Sequence, residues 1–411
     1  MDQEPKVKTS AALRFIFVTI FIDVMGLAII IPVIPNLLKQ LGNVDYSVAS
    51  ELNGWLTFTY ATMQILFSPI MGNLSDRFGR RPILLISLLG FCVDYTFMAF
   101  APTIFWLFVG RTIAGITGAT MSTATAYIAD ISTGDKRAAN FGIVGAASGL
   151  GFIIGVSGGA FLGAINIKFP FMVAAGAALF NALYGYFVLP ESLDKEHRRK
   201  FEWKRANPIG SFMQLTKYKA LAGLALAFTL VYIAQKAVEY QMPFYVYEKF
   251  QWTMRSVGCL GLFIGFLLIC IQGWLIRYLI PKWGLKKNII LGLISYGVGL
   301  TLIAFAGQGW QVYIFMVPYC FGGISGPALQ GFITSKFGAS EQGELQGGLS
   351  LLSSISLVVG PLVMGYSFKF FTHKDSALYF PGSPYILGAL LILISVLLVV
   401  RSFKKDVTLT T

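Results

Sequence analysis

Five ionisable residues in this 411-residue chain stand inside long apolar runs: Asp23, Asp94, Arg111, Lys236 and Glu239. A sixth, Asp130, lies at the end of such a run. Charge in an apolar run is costly, so each is a functional candidate by default. The chemistry available to the two acids is proton uptake and release. Asp94 has only Cys92, Val93, Tyr95 and Thr96 beside it in sequence, and Asp23 stands near Met25 and Gly26. Burial favours the neutral form of a carboxyl group, so either could load and release a proton near neutral pH. A static ion pair or a permanently protonated acid is the plainer alternative for both. Arg111 cannot titrate; near an acid it would hold that acid ionised and bias when its proton leaves. A snorkelling or purely structural arginine is the other reading. Lys236 and Glu239 are three residues apart and therefore share a helix face. They either neutralise each other, which is the simpler reading, or meet a zwitterionic or chelating solute. Gln64, Gln235, Gln272 and Gln330, with Tyr60 and Tyr95, are uncharged polar groups in the same runs. They are candidates to line a cavity, with helix-to-helix hydrogen bonding equally open to each.

The composition says what must position these groups. The chain is 55% hydrophobic and 12% charged, with a mean hydropathy of +0.69, whereas a soluble domain carries roughly 25% charged residues. That describes an all-α membrane protein. A membrane-spanning helix needs about 20 mostly apolar residues. Twelve such runs are predicted, near 13–38, 53–73, 82–101, 104–128, 139–163, 168–189, 220–246, 256–280, 287–306, 309–333, 345–369 and 379–401. The run after the polar Met1–Ser10 is too long for a signal peptide and is expected to stay as a span.

The net charge of +13 is concentrated in connectors. Lys6, Lys8 and Arg14 precede the first run; Arg77, Arg80 and Arg81, then Lys136 and Arg137, then Arg277, Lys282, Lys286 and Lys287 occupy even-numbered connectors; Arg401, Lys404 and Lys405 follow the last run. Odd connectors such as 42–49 and 306–310 contain no Lys or Arg. This alternation predicts that both termini are cytoplasmic. It also reads as lipid-headgroup contact, not as a nucleic-acid surface. The longest connector divides the chain into 1–189, a linker at 190–219, and 220–411. The halves repeat: Gly79-Arg80-Arg81 is answered 205 residues later by Gly284-Leu285-Lys286-Lys287, and Gly155-Val156 by Gly360-Pro361. Two landmarks with one offset imply two pseudo-symmetric six-helix halves.

Cys92, Cys259, Cys270 and Cys320 lie singly in apolar runs, so buried thiols are expected. With His197 and His373 in connectors, neither a metal site, a cofactor nor an enzymatic nucleophile–base set is expected. Glycines at 145, 149, 151, 155, 158, 159 and 163 crowd the fifth run. Gly151, Gly155 and Gly159 there, with Gly360 and Pro361 in the eleventh, are predicted to let neighbouring helices pack and bend closely.

The connector Gly72-Asn-Leu-Ser-Asp76-Arg77-Phe-Gly79-Arg80-Arg81-Pro82 is more specific than topology requires. Its two glycines would permit a tight turn, its arginines would hold it at the cytoplasmic face, and Pro82 suits a first helical turn. Asp76 suits a helix N-terminus or an arginine across an interface that can open. This pattern resembles the loop motif of the major facilitator superfamily. Together with Asp23-Val-Met-Gly26, Leu89-Gly-Phe-Cys-Val-Asp94-Tyr95, Gly110-Arg111 with Gly115-Ile-Thr-Gly118-Ala119, Pro327-Ala-Leu-Gln330-Gly331 and Glu341-Gln-Gly-Glu-Leu-Gln-Gly347, it makes the whole chain resemble the tetracycline/proton antiporter branch.

The resemblance implies proton exchange at Asp23, Asp94 and Arg111, and gating of the cytoplasmic side by Asp76, with Arg80 reaching Asp130. It implies a small-molecule substrate and protons as partners, a monomer, and a bacterial inner membrane. The second half departs from that pattern: the ninth-span acid of the best-known tetracycline exporters falls at Tyr296, their eighth-span histidine at Leu268, and only the nearby glutamine survives as Gln272. The fifth-span Gly-Pro of antiporters is Gly155-Val156 here. A proton-coupled antiporter exporting a small organic molecule or drug is therefore expected, with tetracycline itself open. The alternative is a proton symporter importing a nutrient, an organic anion or a siderophore-like chelate. A non-transporting receptor ranks below both.

Overall fold

The computed structural model describes residues 9–132, 136–201, 222–336 and 342–408. Part of the predicted linker, 202–219, and Glu341 lie outside them. The order is α1 Thr9–Ile30, α2 Ile34–Gly42, α3 Tyr46–Phe78, α4 Arg80–Phe100, α5 Ile104–Thr117, α6 Thr120–Ile131, α7 Lys136–Gly163 and α8 Phe169–Val188. It continues with α9 Ala222–Phe250, α10 Met254–Leu268, a π-helical turn at Ile269–Leu275, α11 Ile276–Ala304, α12 Gly309–Gly322, α13 Ser325–Thr334, α14 Gln342–Thr372 and α15 Ser383–Thr408. In hydrocarbon every backbone polar group must be satisfied within the element itself, so apolar runs of this length become helices.

Among the described residues, ten stretches are long and apolar enough to cross a membrane. One of them, Met254–Ala304, runs for 51 residues, long enough for two spans. Its backbone leaves the helical region at Gly284. The 33-residue α3 adds the last span to make twelve. At ~1.5 Å per residue it is about 50 Å long, which exceeds a ~30 Å hydrocarbon core and lets its polar ends project beyond it.

Two predicted runs change shape. The first, 13–38, is not one helix: it breaks after Ile30 and restarts at Ile34. Pro32 disfavours helical geometry in the residue before it, Pro35 sits in the first turn of α2 where no amide is missed, and the chain turns with the Ile31 and Val33 amides bonded three residues back. The second run extends well past 53–73. Gly72 is therefore not a turn residue; it lies within α3, and a Cβ there would meet nothing within 4 Å. The whole α3–α4 turn is one residue, Gly79, at φ 109°.

By contacts the described chain forms two compact units, Met1–Asn43 with Thr59–Pro208, and Val44–Phe58 with Ile209–Thr411. In the first, α1 supplies Phe15, Ile16 and Ile20 to a core shared with Leu84, Tyr127, Ile128, Ala147 and Leu189. The glycines of α7 fall into two sets. Gly151, Gly155 and Gly159, each four apart, lie against the α1 carbonyls of Phe21, Met25 and Ile29, where a Cβ would stand 2.7 Å or less from oxygen. Gly145, Gly149 and Gly158 face open space. The first set brings two backbones into contact where lipid offers no hydrophobic drive for helix association.

The internal repeat is visible in the backbone. Among the described residues the two glycines with positive φ are Gly79 and Gly284, 205 apart. The fourth predicted span breaks between α5 and α6 at Gly118-Ala119, and the tenth between α12 and α13 at Gly323-Ile324, again 205 apart.

Candidate functional site

In the first unit, five helices converge on a buried polar cluster. Asp94, on α4, is fully buried. Arg111, on α5, donates from Nε to Asp94 Oδ1 at 3.0 Å, and its Nη2 meets Asp94 Oδ2. The guanidinium lies over the Tyr60 ring of α3, 5.3 Å from its centre. The absence of a Cβ on Gly110 leaves room for Asp94 Oδ1, and Gly115 seats against the α3 backbone at Tyr60. Thus the glycines flanking Arg111 are what let α5 approach both neighbours.

Asp23, on α1, is buried at 8% exposure, and its Oδ1 has no hydrogen-bond partner. It sits beside Thr120 at the start of α6 and interacts electrostatically with Tyr60 and Tyr95. Tyr95 lies over Gly26, one turn along α1 from Asp23. Gln64 donates to the Tyr60 hydroxyl at 3.0 Å and to the Gly118 carbonyl at 3.2 Å. That second bond covers a carbonyl exposed by the α5–α6 break, an acceptor that would be orphaned in hydrocarbon. The two acids thus differ. Asp94 is tied to a permanent cation, whereas Asp23 keeps one oxygen uncommitted.

The turn at Gly79 is a second polar network. Arg80 donates to Asp76 Oδ1 at 2.5 Å, to Asp130 Oδ2 at 3.1 Å and to Ser75 Oγ at 3.1 Å. Glu191 accepts from the backbone amides of Arg80 and Arg81 at 2.7 and 3.2 Å. It is a carboxylate on the positive end of α4, where two amides lack helical partners. Its carboxylate fills the space a Cβ on Gly79 would need. Ser192 Oγ donates to Asp130 at 3.0 Å, the Tyr127 hydroxyl to the Pro190 carbonyl at 2.9 Å, and the Arg199 amide to the Asp76 carbonyl at 3.1 Å. Arg81 reaches the Tyr186 carbonyl. Arg77 packs over Phe78, 5.0 Å from the ring centre.

In the second unit, Lys236 Nζ meets Glu239 Oε2 at 2.6 Å near the middle of α9. Glu239 interacts electrostatically with Tyr296 of α11 and Tyr319 of α12. Those rings stack with centres 4.7 Å apart, and the Tyr296 hydroxyl donates to that of Tyr319 at 3.2 Å. Gln272 stands in the π-helical turn, its amide near Gly323 at the α12–α13 break. Interrupted hydrogen-bond ladders of this kind are frequent at functional sites. Gln235 is exposed on α9, and Gln330 donates to Gln346 at 3.1 Å. Gly360, on α14, seats against the Lys236 stem, and Pro361 lies within the same helix.

Also within the second unit, the first turns of α3 make polar contacts. Glu51 meets Lys369 Nζ at 2.5 Å, and Ser50 Oγ donates to Gln241 Oε1 at 2.7 Å. The thiols are not uniformly buried as expected: Cys259 is exposed, Cys92 and Cys270 are intermediate, and Cys320 is buried. A thiol on an apolar face is as well placed against lipid as inside a bundle.

The sequence reading missed Glu191, Thr120, the Tyr296–Tyr319 pair and Glu51–Lys369. Glu191 had a signal: it is the first of four acids in the connector and stands directly after Pro190 at the end of a span. Tyrosine stacking across 23 residues had none. Among the described residues no group of three or more His, Cys, Asp or Glu side chains could hold a metal ion.

The comparisons with known proteins give the family. The sequence pattern of the Major Facilitator Superfamily matches residues 16–326. Tetracycline resistance protein, class C, of Escherichia coli is 36% identical over 94% of this chain and 96% of its own. The class G protein of Vibrio anguillarum is 34% identical over 98% and 100%. Among solved structures, the nucleoside transporter NupG superposes with a TM-score of 0.75 at 11% identity, covering 96% of this chain and 99% of its own. The human organic anion transporter MFSD10 (TETRAN) gives 0.71 at 20% identity, covering 96% and 100%. At such identities these two speak to the fold alone. This is an integral, multi-pass membrane protein and a transporter, not an enzyme. The chain belongs to the Major Facilitator Superfamily.

Proposed function

We propose that this protein is a proton-coupled antiporter that expels a small organic molecule, tetracycline-like compounds being the first candidates, by alternating access between two six-helix halves at 1–189 and 220–411 joined by 190–219. The observation that carries the coupling is the pairing of opposites in the first-unit cluster. Asp23 is buried with an uncommitted oxygen, and Asp94 is buried against Arg111. Asp23 is the group that carries the proton. Asp94 and Arg111 form the bistable element. With the pair intact the charges cancel, and a proton delivered to Asp94 releases Arg111 to another acceptor. Gln64 and Tyr95 line the substrate side of the same cluster. Inward proton flow supplies ~2.3 kcal/mol per charge per 100 mV before the pH difference is added.

Asp76, Arg80 and Asp130, with Gly79, Arg81 and Glu191, form the gate element at the α3–α4 turn; the hydrogen-bond network there supports that reading. The protein is a monomer in a bacterial inner membrane, with both termini cytoplasmic and basic connectors against lipid headgroups. The fold also hosts a D-xylose–proton symporter. Val156, in place of the antiporter proline, is the one feature here that favours uptake.

Proteoliposomes with a lumenal pH dye test the assignment. Tetracycline added to one side is expected to drive protons the opposite way, and Asp23→Asn is expected to abolish the movement. Protons travelling with the solute would replace export by uptake. Unchanged proton movement in Asp23→Asn would remove Asp23 from its role.

A further inference from the structure

Lys236–Glu239 is an ion pair of unusual placement. Asp94–Arg111 joins two helices, but Lys236 and Glu239 lie three apart on one helix, so their bond fastens nothing to anything else. Such a pair contributes only ~0.2–0.5 kcal/mol to a helix. Against that stands the cost of holding two charges in the middle of a 29-residue apolar helix. Hydrophobic residues of similar volume would be as stable or more so. The pair is also not sealed: the side chains are 11% and 20% exposed.

Its surroundings are built. Gly360 leaves space for the Lys236 stem. Lys236 Nζ lies 5.5 Å from the centre of the Tyr240 ring. The Tyr296–Tyr319 stack is closely backed by glycine: Gly299 lies against Tyr319 and Gly322 against Tyr296. Lys236 thus has an aromatic ring beside it, and Glu239, three residues on, interacts electrostatically with the Tyr296–Tyr319 pair.

We propose that Lys236 and Glu239 are a specificity-determining pair for a zwitterionic aromatic solute. Its anionic group binds Lys236, its cationic group binds Glu239, and its ring system lies against Tyr240 and the Tyr296–Tyr319 stack. Charge balance selects the zwitterion. Opening the pair for a simple anion leaves Glu239 uncompensated, and opening it for a simple cation leaves Lys236 so; an unpaired charge in low dielectric is strongly unfavourable. A zwitterion exchanges one neutral pair for two. This deepens the transport reading above and rests on it.

The test is equilibrium binding to the purified full-length protein in detergent. The probes are tetracycline, which is zwitterionic at neutral pH, and ethidium, a permanent cation. Wild type is expected to bind tetracycline, with Lys236→Met and Glu239→Gln each weakening it at least tenfold. The charge-free Lys236→Met/Glu239→Leu chain is expected to keep its thermal unfolding temperature, lose tetracycline binding, and bind ethidium no more weakly than wild type. The proposal is overturned if wild type does not bind tetracycline, if the double variant binds it like wild type, or if ethidium and tetracycline weaken in parallel. Proton movement is scored separately in vesicles. Tetracycline binding without counter-movement of protons would sink antiport and leave this pair standing. Proton antiport undisturbed by the double variant would sink the pair and leave antiport.

Discussion

The turns at Gly79 and Gly284 are the same piece of backbone used in two ways. They stand 205 residues apart, at φ 109° and 73°. Around Gly79 the turn is held by ionised side chains: Asp76, Asp130 and Arg80 pair, and Glu191 occupies the α4 amides. Around Gly284 an uncharged side chain bridges the turn. Asn288 donates to the Leu279 carbonyl at 3.0 Å and the Gly284 carbonyl at 2.8 Å, and Lys286 packs over Phe332 and Phe403. The position answering Asp76 is Pro281, which can neither pair nor titrate. The difference teaches that a duplicated fold can keep one backbone turn and change the side chains that hold it.

The buried clusters repeat the contrast. The first unit joins helices with Asp94–Arg111, and the second keeps its opposite charges within one helix. The sharpest way to break the comparison is Arg111→Ala. It leaves Asp94 charged and unpaired, and stability in detergent is expected to fall by about 3–5 kcal/mol with loss of transport. Adding Asp94→Asn should recover most of the stability and none of the transport. Lys236→Ala should cost less stability, because the Glu239 side chain it leaves unpaired is 20% exposed whereas that of Asp94 is fully buried; similar losses in both units would erase the distinction.

The turns come next. Gly79→Ala meets both an unfavourable φ and the Glu191 carboxylate, while Gly284→Ala meets only the φ. Forcing a side chain into that region costs about 1–2 kcal/mol. Thermal unfolding should therefore show a clearly larger loss at Gly79, and equal losses would mean that Glu191 moves freely aside. Glu191→Ala should cost about 1 kcal/mol through the two uncapped amides, and Glu191→Gln less, as read by the same scans. The smallest effect is expected at Glu51→Gln. Its pair with Lys369 is partly exposed, and such pairs contribute about 0–1 kcal/mol. A shift there beyond that range would make the start of α3 a structural anchor of the second unit.

Much of the Gly79 turn was legible in the sequence, because its signals are local. Gly79, Asp76 and Arg80 fall within five residues, and the 205-residue offset needs only two copies to be seen. Gly72 misled, because a glycine in an apolar run reads the same whether it turns the chain or merely lies on an open helix face. The glycines of α7 show the same limit: three seat against α1 and others against nothing, and their order in sequence does not separate them.

By itself, the sequence determined which residues must enter the membrane, how often the chain crosses it, and that its two halves share one plan. Those follow from the transfer cost of polar groups and from short-range spacing, which are properties of the chain taken piece by piece. Which acid is neutralised was decided only by tertiary structure. Asp94 and Asp23 look alike in their runs, yet one meets Arg111 and the other keeps an open oxygen. So was the choice of Glu191, drawn from 111 residues away, to hold Arg80. Pairing across helices depends on which faces meet, and that is set by close contacts such as Gly110 on Asp94, where the space left by one missing Cβ brings charge to charge.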